Sequence, residues 1–238
     1  MALTITQLST AAWTTADGVK TQSAAAAVGD LIVLVCAHSG NTALVAPTDN
    51  NSSGTYVLVN SSVKVTSADT LSVWVRSSLV TTAATTIFTH SPGTTSGGGL
   101  AVIKIVGALK FGAGAIRQSG VQSNLAASGT PTVALAAAAL TTNGLIGAVF
   151  NGTNPATLTP RASPAWSERS DVGYNTPPSG LHVMTINSGE TASSIPWGST
   201  SASIFCSCVV EVDADAQIVP QIAVPRGGTT VNWPLISR

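Results

Sequence analysis

The chain is 238 residues long, with ten Lys+Arg against ten Asp+Glu; 8% of its residues are charged and 44% hydrophobic. Zero net charge leaves no electrostatic footprint for nucleic acid, and so apolar a chain is not intrinsically disordered. No apolar run reaches the roughly 18 residues that a membrane helix needs, so neither nucleic acid nor a membrane is an expected partner.

Read in chain order, the sequence is a succession of short Val/Ile/Thr/aromatic runs broken by Gly, Pro, Asn, Asp and Ser clusters. The predicted strands are Leu3–Leu8, Leu31–His38, Tyr56–Val59, Leu71–Arg76, Thr85–His90, Leu100–Val106, Ile116–Gln122, Thr132–Leu135, Leu145–Asn151, Trp166–Asp171, Leu181–Ile186 and Ser203–Val212. Leu31–Cys36 is apolar throughout and predicts burial on both faces; Leu71–Arg76 alternates, which predicts one solvated or rim-exposed face. Ala24–Ala27 and Leu135–Leu140 are too short to be helices and read as strand-edge or loop segments. The opening Met1–Gln7 has no basic, apolar leader, and the three cysteines Cys36, Cys206 and Cys208 form no even framework, so folding in a reduced intracellular compartment is the expectation.

Four matches in the same order indicate an internal repeat. Leu31–Val35 matches Leu145–Val149 at a spacing of 114, Pro47 matches Pro160 at 113, Leu71–Trp74 matches Leu181–Met184 at 110, and Ala101–Ile105 matches Cys208–Val212 at 107. Two similar strand sets, about 29–107 and 143–212, each need a partner face to bury. The expected fold is all-β, an antiparallel double-sheet β-sandwich of jelly-roll type over residues 1–212, the two halves interleaving. The alternative is two tandem small sandwiches joined near Phe111–Ser128.

Residues 213–238 differ from the rest. Pro220, Pro225 and Pro234 punctuate short apolar pieces, which excludes a central strand and argues against a free tail. An extended arm laid on another surface fits both facts, with Ile222, Val224, Trp233, Leu235 and Ile236 as anchors and Arg226 paired to an acidic patch; an arm sealing its own sandwich is the rival.

Chemistry-bearing motifs are sparse. His38, His90 and His182 lie near strand ends without metal-ligand spacing and are expected not to converge. Cys206 and Cys208 share a strand face and read as small apolar groups. Glu168 with Asp171, and Asp213 with Asp215, are the pairs a glycoside hydrolase would need, but Arg169 beside the first makes a surface ion-pair cluster the plainer reading, and the second opens the arm. Glycine clusters such as Gly97-Gly98-Gly99 lack a phosphate-loop pattern. Of the tryptophans, Trp74 reads as core, and Trp166 and Trp197 as corner plugs. No catalytic residue, cofactor or metal is expected, and the protein is not expected to be an enzyme.

Charge is unevenly spread: between Lys64 and Arg117 stand Lys64, Arg76, Lys104, Lys110 and Arg117 with one acid, Asp69, while between Glu168 and Asp215 stand Glu168, Asp171, Glu190, Glu211, Asp213 and Asp215 with one base, Arg169. Lys104 aligns with Glu211, a pattern that suits a head-to-tail contact around a ring.

The Val28–Leu34 opening, the Pro-containing loop after it, the Leu71–Arg76 and Gly97–Gly107 strands and the approximate second copy together resemble the β-sandwich accessory and decoration proteins of tailed bacteriophage virions. That resemblance implies a cofactor-free structural protein of the virion. It would bind the major capsid protein or another virion protein on the outer head surface, as a homo-oligomer with a trimer favoured, after synthesis in the bacterial cytoplasm. A tail or fibre protein holding a host glycan, and a β-sandwich polysaccharide hydrolase, are the alternatives.

Overall fold

The computed structural model describes residues 3–13, 19–52, 54–64, 68–93, 95, 97–124, 126, 128–152, 158–175 and 178–214. The first half contributes β1 (Thr4–Trp13), β2 (Lys20–Ala26), β3 (Leu31–Ser39), β4 (Thr48–Asp49), β5 (Tyr56–Lys64), β6 (Asp69–Arg76), β7 (Ala84–His90) and β8 (Gly97–Val106). A 3-10 turn at Gly112–Ala115 leads into the second half: β9 (Ile116–Asn124), β10 (Thr132–Ala134), β11 (Gly144–Asn151), β12 (Ser167–Asn175), β13 (Pro178–Ile186), β14 (Ser194–Pro196) and β15 (Phe205–Val212). Strand β2 takes in the alanine-rich stretch read as edge or loop; its partner β7 supplies the pairing that a weak local propensity does not.

The fold is an all-β, antiparallel sandwich. Two five-stranded sheets, ordered β1-β8-β3-β6-β5 and β12-β13-β11-β15-β9, pack face to face. A three-stranded sheet β2-β7-β4 belongs to the first half and a two-stranded sheet β10-β14 to the second. The halves do not interleave: every sheet is drawn from one half, and the halves meet through their large sheets.

The two halves share one topology. Reading β1 as β9, β2 as β10, β3 as β11, β5 as β12, β6 as β13, β7 as β14 and β8 as β15 converts the first large sheet into the second, strand for strand. Only β4 lacks a counterpart among the described residues. The ladders also correct the sequence alignment. Val35 pairs with Val73 and Ala101, and Ala148 pairs with Val183 and Cys208. The spacings of 110 and 107 hold, but β3 corresponds to β11 at 113, not 114. A one-residue slip exchanges the faces of a strand. Leu31 accordingly faces the inter-sheet core and Leu145 the outer layer. Both strands are apolar at every position near this match, so hydrophobicity alone does not fix their register.

Three apolar layers result. Between the large sheets lie Val33, Val35, Val73, Ile103, Phe150, Val183, Cys208 and Val210. Outside the first sheet, Ile32, Leu34, Trp74 and Val102 pack with Phe88 and Ala26 of the small sheet. Outside the second, Leu145, Val149, Met184 and Val209 pack with Val133, Ile195 and Trp197. This covering explains why β6 is buried at every position, contrary to the rim-exposed face that its alternation predicts. The large sheets come so close at Gly99 that a Cβ there would lie 2.9 Å from Leu181 Cβ, which accounts for glycine inside that strand.

Candidate functional site

Edge strand β12 carries the most unusual chemistry. Its ladder to β13 slips between Glu168 and Ser170, so Arg169 is an extra residue in a β-bulge. Residues three apart in a regular strand face opposite ways. The bulge puts Glu168, opposite Met184, and Asp171, opposite His182, on one outer face. It turns Arg169 to the other side, where Nε donates to Thr185 Oγ1 at 2.8 Å and Nη2 donates across the sheet seam to Ile5 O at 3.1 Å. The expected ion-pair cluster of Arg169 with Glu168 and Asp171 is therefore overturned: guanidinium and carboxylates stand on opposite faces. No carboxylate among the described residues pairs with Arg169.

On the outer face, His182 is fully buried; its Nδ1 accepts a hydrogen bond from Trp197 Nε1 at 3.1 Å, and its Nε2 lies 3.9 Å from Glu168 Oε2. Burial pushes His182 down to about 4, so the ring is neutral near pH 7. Burial, reinforced by the Glu168 charge, pushes Asp171 up to about 6. The two carboxyls share one strand and one face. They do not flank a cleft from opposite walls, the arrangement that cleavage of a glycosidic bond uses.

On the inner side, a cavity of about 320 Å³ opens beside Arg169, bounded by Pro164, Ser167, Thr185, Asn187 and Ser188. Asn187 Oδ1 accepts from Ile5 N at 2.8 Å, so β1 of the first half buttresses this corner of the second.

The remaining candidates are structural. Of the three histidines expected not to converge, two meet: His90 Nε2 lies 3.4 Å from His38 Nδ1, with ring centroids 5.4 Å apart. They come from β3 and β7, which belong to sheets packed on each other, a proximity that chain spacing does not encode. Burial lowers His38 to about 4 and His90 to about 3. His182 stands apart in the second half, and among the described residues no three His, Cys, Asp or Glu side chains are placed to hold a metal ion. Cys36, Cys206 and Cys208 are free thiols buried in the core, and burial raises all three. Trp74, Trp166 and Trp197 are buried, donating to Ser72, Glu190 and His182 respectively.

Glu211 does not serve a contact around a ring. It is fully buried and accepts from Arg117, Gln118, the Leu140 amide and Asn143, which exhausts its carboxylate internally. Asp213, one of the proposed acid pair, is bonded to Lys110 at 2.5 Å.

That Lys110–Asp213 contact marks an apolar end of the molecule. Leu109 and Phe111, flanking Lys110, are 58% and 52% exposed, and Leu140, whose amide binds Glu211, is 46% exposed. The described chain leaves at this end, where the Asp213 amide donates to Ala115 O and that of Ala214 to Asn143 Oδ1. The predicted arm anchors Ile222, Val224, Arg226, Trp233, Leu235 and Ile236, and Asp215, lie outside the described residues.

Arg169 is the residue that sequence reasoning misplaced. The spacing of 110 sets it against Val59, and a charge replacing a β-branched apolar residue at a repeat-equivalent position is the signal that marks it. Compared with known proteins, the chain matches no family model, no curated protein and no solved structure.

Proposed function

We propose that this is a non-catalytic structural protein that works within an assembly, in the form suggested by the sequence resemblance: a decoration protein on the outer surface of a bacteriophage head. The observation that carries the reading is the apolar end. Leu109, Phe111 and Leu140 are exposed around the point where the chain continues into residues 215–238, themselves rich in apolar anchors and proline. Exposed apolar side chains grouped beside an apolar extension are what an interface uses. Proline restricts the unbound extension and so lowers the ordering cost of docking it on a neighbouring subunit. The low surface charge supports the same reading, since charge is what keeps free monomers apart.

Removing residues 215–238 tests it, because Lys110–Asp213 and Asn143–Ala214 remain to close the fold. The expected result is an unchanged melting temperature with loss of self-association in light scattering and loss of co-sedimentation with capsids. A Leu109→Ser, Phe111→Ser variant weakens both in the same direction. Full assembly by the truncated chain overturns the proposal.

A further inference from the structure

We propose that the cavity beside Arg169 binds the carboxylate of an acidic sugar residue. The inference stands on observations separate from the apolar end and holds whether or not the protein decorates a particle.

Arg169 stands at a bulge where the other half of the scaffold carries no cation. At the equivalent bulge in the first half the extra residue is Val59, which packs against the inter-sheet core. In the second half the same backbone device presents a guanidinium to a cavity. Two of its nitrogens are fixed, Nε by Thr185 and Nη2 by Ile5 O, so the group is held in one orientation before any ligand arrives. Nη1 has no partner among the described residues and faces no carboxylate there. A held arginine with Nη1 free offers a charge-assisted donor to a carboxylate oxygen.

The surroundings select the rest of the ligand. Ser167, Thr185, Asn187 and Ser188 offer hydroxyl and amide groups, and Asn187 keeps its NH₂ free because its oxygen is taken by Ile5 N. Pro164 supplies an apolar wall. Polar walls of this kind suit a molecule carrying several hydroxyls. A volume of about 320 Å³ sits at the small end of ligand pockets and fits one sugar ring. Among the described residues that line the cavity Arg169 is the single cation, which matches a monoanion better than a phosphate dianion.

The test is an NMR titration of the full chain with galacturonate, galactose, acetate and inorganic phosphate. Galacturonate is expected to shift the amide signals of Ser167, Arg169 and Ser188 saturably, with a Kd on the order of 1 mM for so small a ligand. The other three probes bind at least about tenfold more weakly, the loss that follows from removing one charge-assisted contact or the hydroxyl set. Arg169→Gln abolishes the shifts. Ser188→Trp, at an exposed position outside the core, fills the cavity without touching the Arg169 bonds and also abolishes them, which keeps the result readable if Arg169→Gln folds poorly. Equal binding of galactose rejects the charge recognition, equal binding of acetate or phosphate rejects the sugar, and unchanged binding by Ser188→Trp, or no saturable shift at all, rejects the site.

Discussion

The two halves of this protein are one scaffold carrying two chemistries. In both, the edge strand bulges at the same place, at Val59 in β5 and Arg169 in β12, opposite Val73 and Val183. On the outer face around the bulge, the first half has Leu58, Ser61 and Ser72 where the second has Glu168, Asp171 and His182. On the inner side a valine closes the seam in one half and an arginine borders a cavity in the other. A bulge fixes which way neighbouring side chains point, while the residue types decide what is done with that direction. The first half invests its charge differently. Arg76 and Asp49, each about 1% exposed as side chains, pair at 3.0 Å and tie β4 to the large sheet, with Tyr56 OH donating to the same carboxylate at 2.8 Å. The residue equivalent to Arg76 in the second half is Ile186, and no counterpart of β4 exists there among the described residues.

The buried pair offers the largest effect with which to break this comparison. Asp49→Ala strands the Arg76 guanidinium in the interior and should cost about 3–5 kcal/mol in chemical denaturation. A loss below about 1 kcal/mol would mean that the first half does not depend on this ion pair, and the contrast drawn from β4 would fall. Next is the acid response. His38 and His90 have folded values of about 4 and 3, below the free-imidazole value of 6.5. The unfolded chain therefore binds these protons more readily, and stability drains as pH falls from about 6.5 toward 4. At 1.36 kcal/mol per pH unit of difference, each histidine should cost about 3 kcal/mol by pH 4. His90→Gln should flatten the stability–pH curve in that window; an unchanged slope would place the acid sensitivity elsewhere.

Packing between the halves comes third. Gly99→Val drives a branched side chain into Leu181 and should cost about 1–3 kcal/mol by overpacking, read as a lower denaturation midpoint. A neutral result would show that the large sheets can separate without penalty, and the shared core would not be what unites the copies.

The legible parts of the sequence were those written in periodicity. The strands of both large sheets, the antiparallel class and the order of the repeat follow from apolar runs and turn residues. Strand β2 was not legible, because Ala24–Ala26 carry no β-branched signal and the strand exists through its ladder to β7. The face of β6 was misread because the cover on its second side comes from residues distant in sequence. The histidine pair joins positions 52 apart and belongs to sheet packing. The bulge at Arg169 was hidden for a related reason: an extra residue in one strand is visible only against its partner, and it reversed which of Glu168, Arg169 and Asp171 share a face.

The finest discrimination between the halves comes from Asp171, which stands where the first half has Ser61. Its carboxyl is raised to about 6 from 3.8, by burial first and the charge of Glu168 second. An acid raised on folding holds its proton more tightly in the native state. The unfolded chain ionises first as pH climbs from about 4 to 6, so stability falls through that window and stays lower above it. This slope is opposite in sign to that of the histidines, so the second half partly cancels with Asp171 the acid sensitivity that His182 confers on it. Asp171 is only partly buried, and solvent screening reduces the effect to about 1 kcal/mol or less. Asp171→Asn should therefore raise the melting temperature slightly at pH 7 and leave it unchanged at pH 3.5. A variant destabilised at pH 7 would mean that the ionised carboxylate is holding something in place, and the outer face of β12 would then be a second site rather than a tolerated strain.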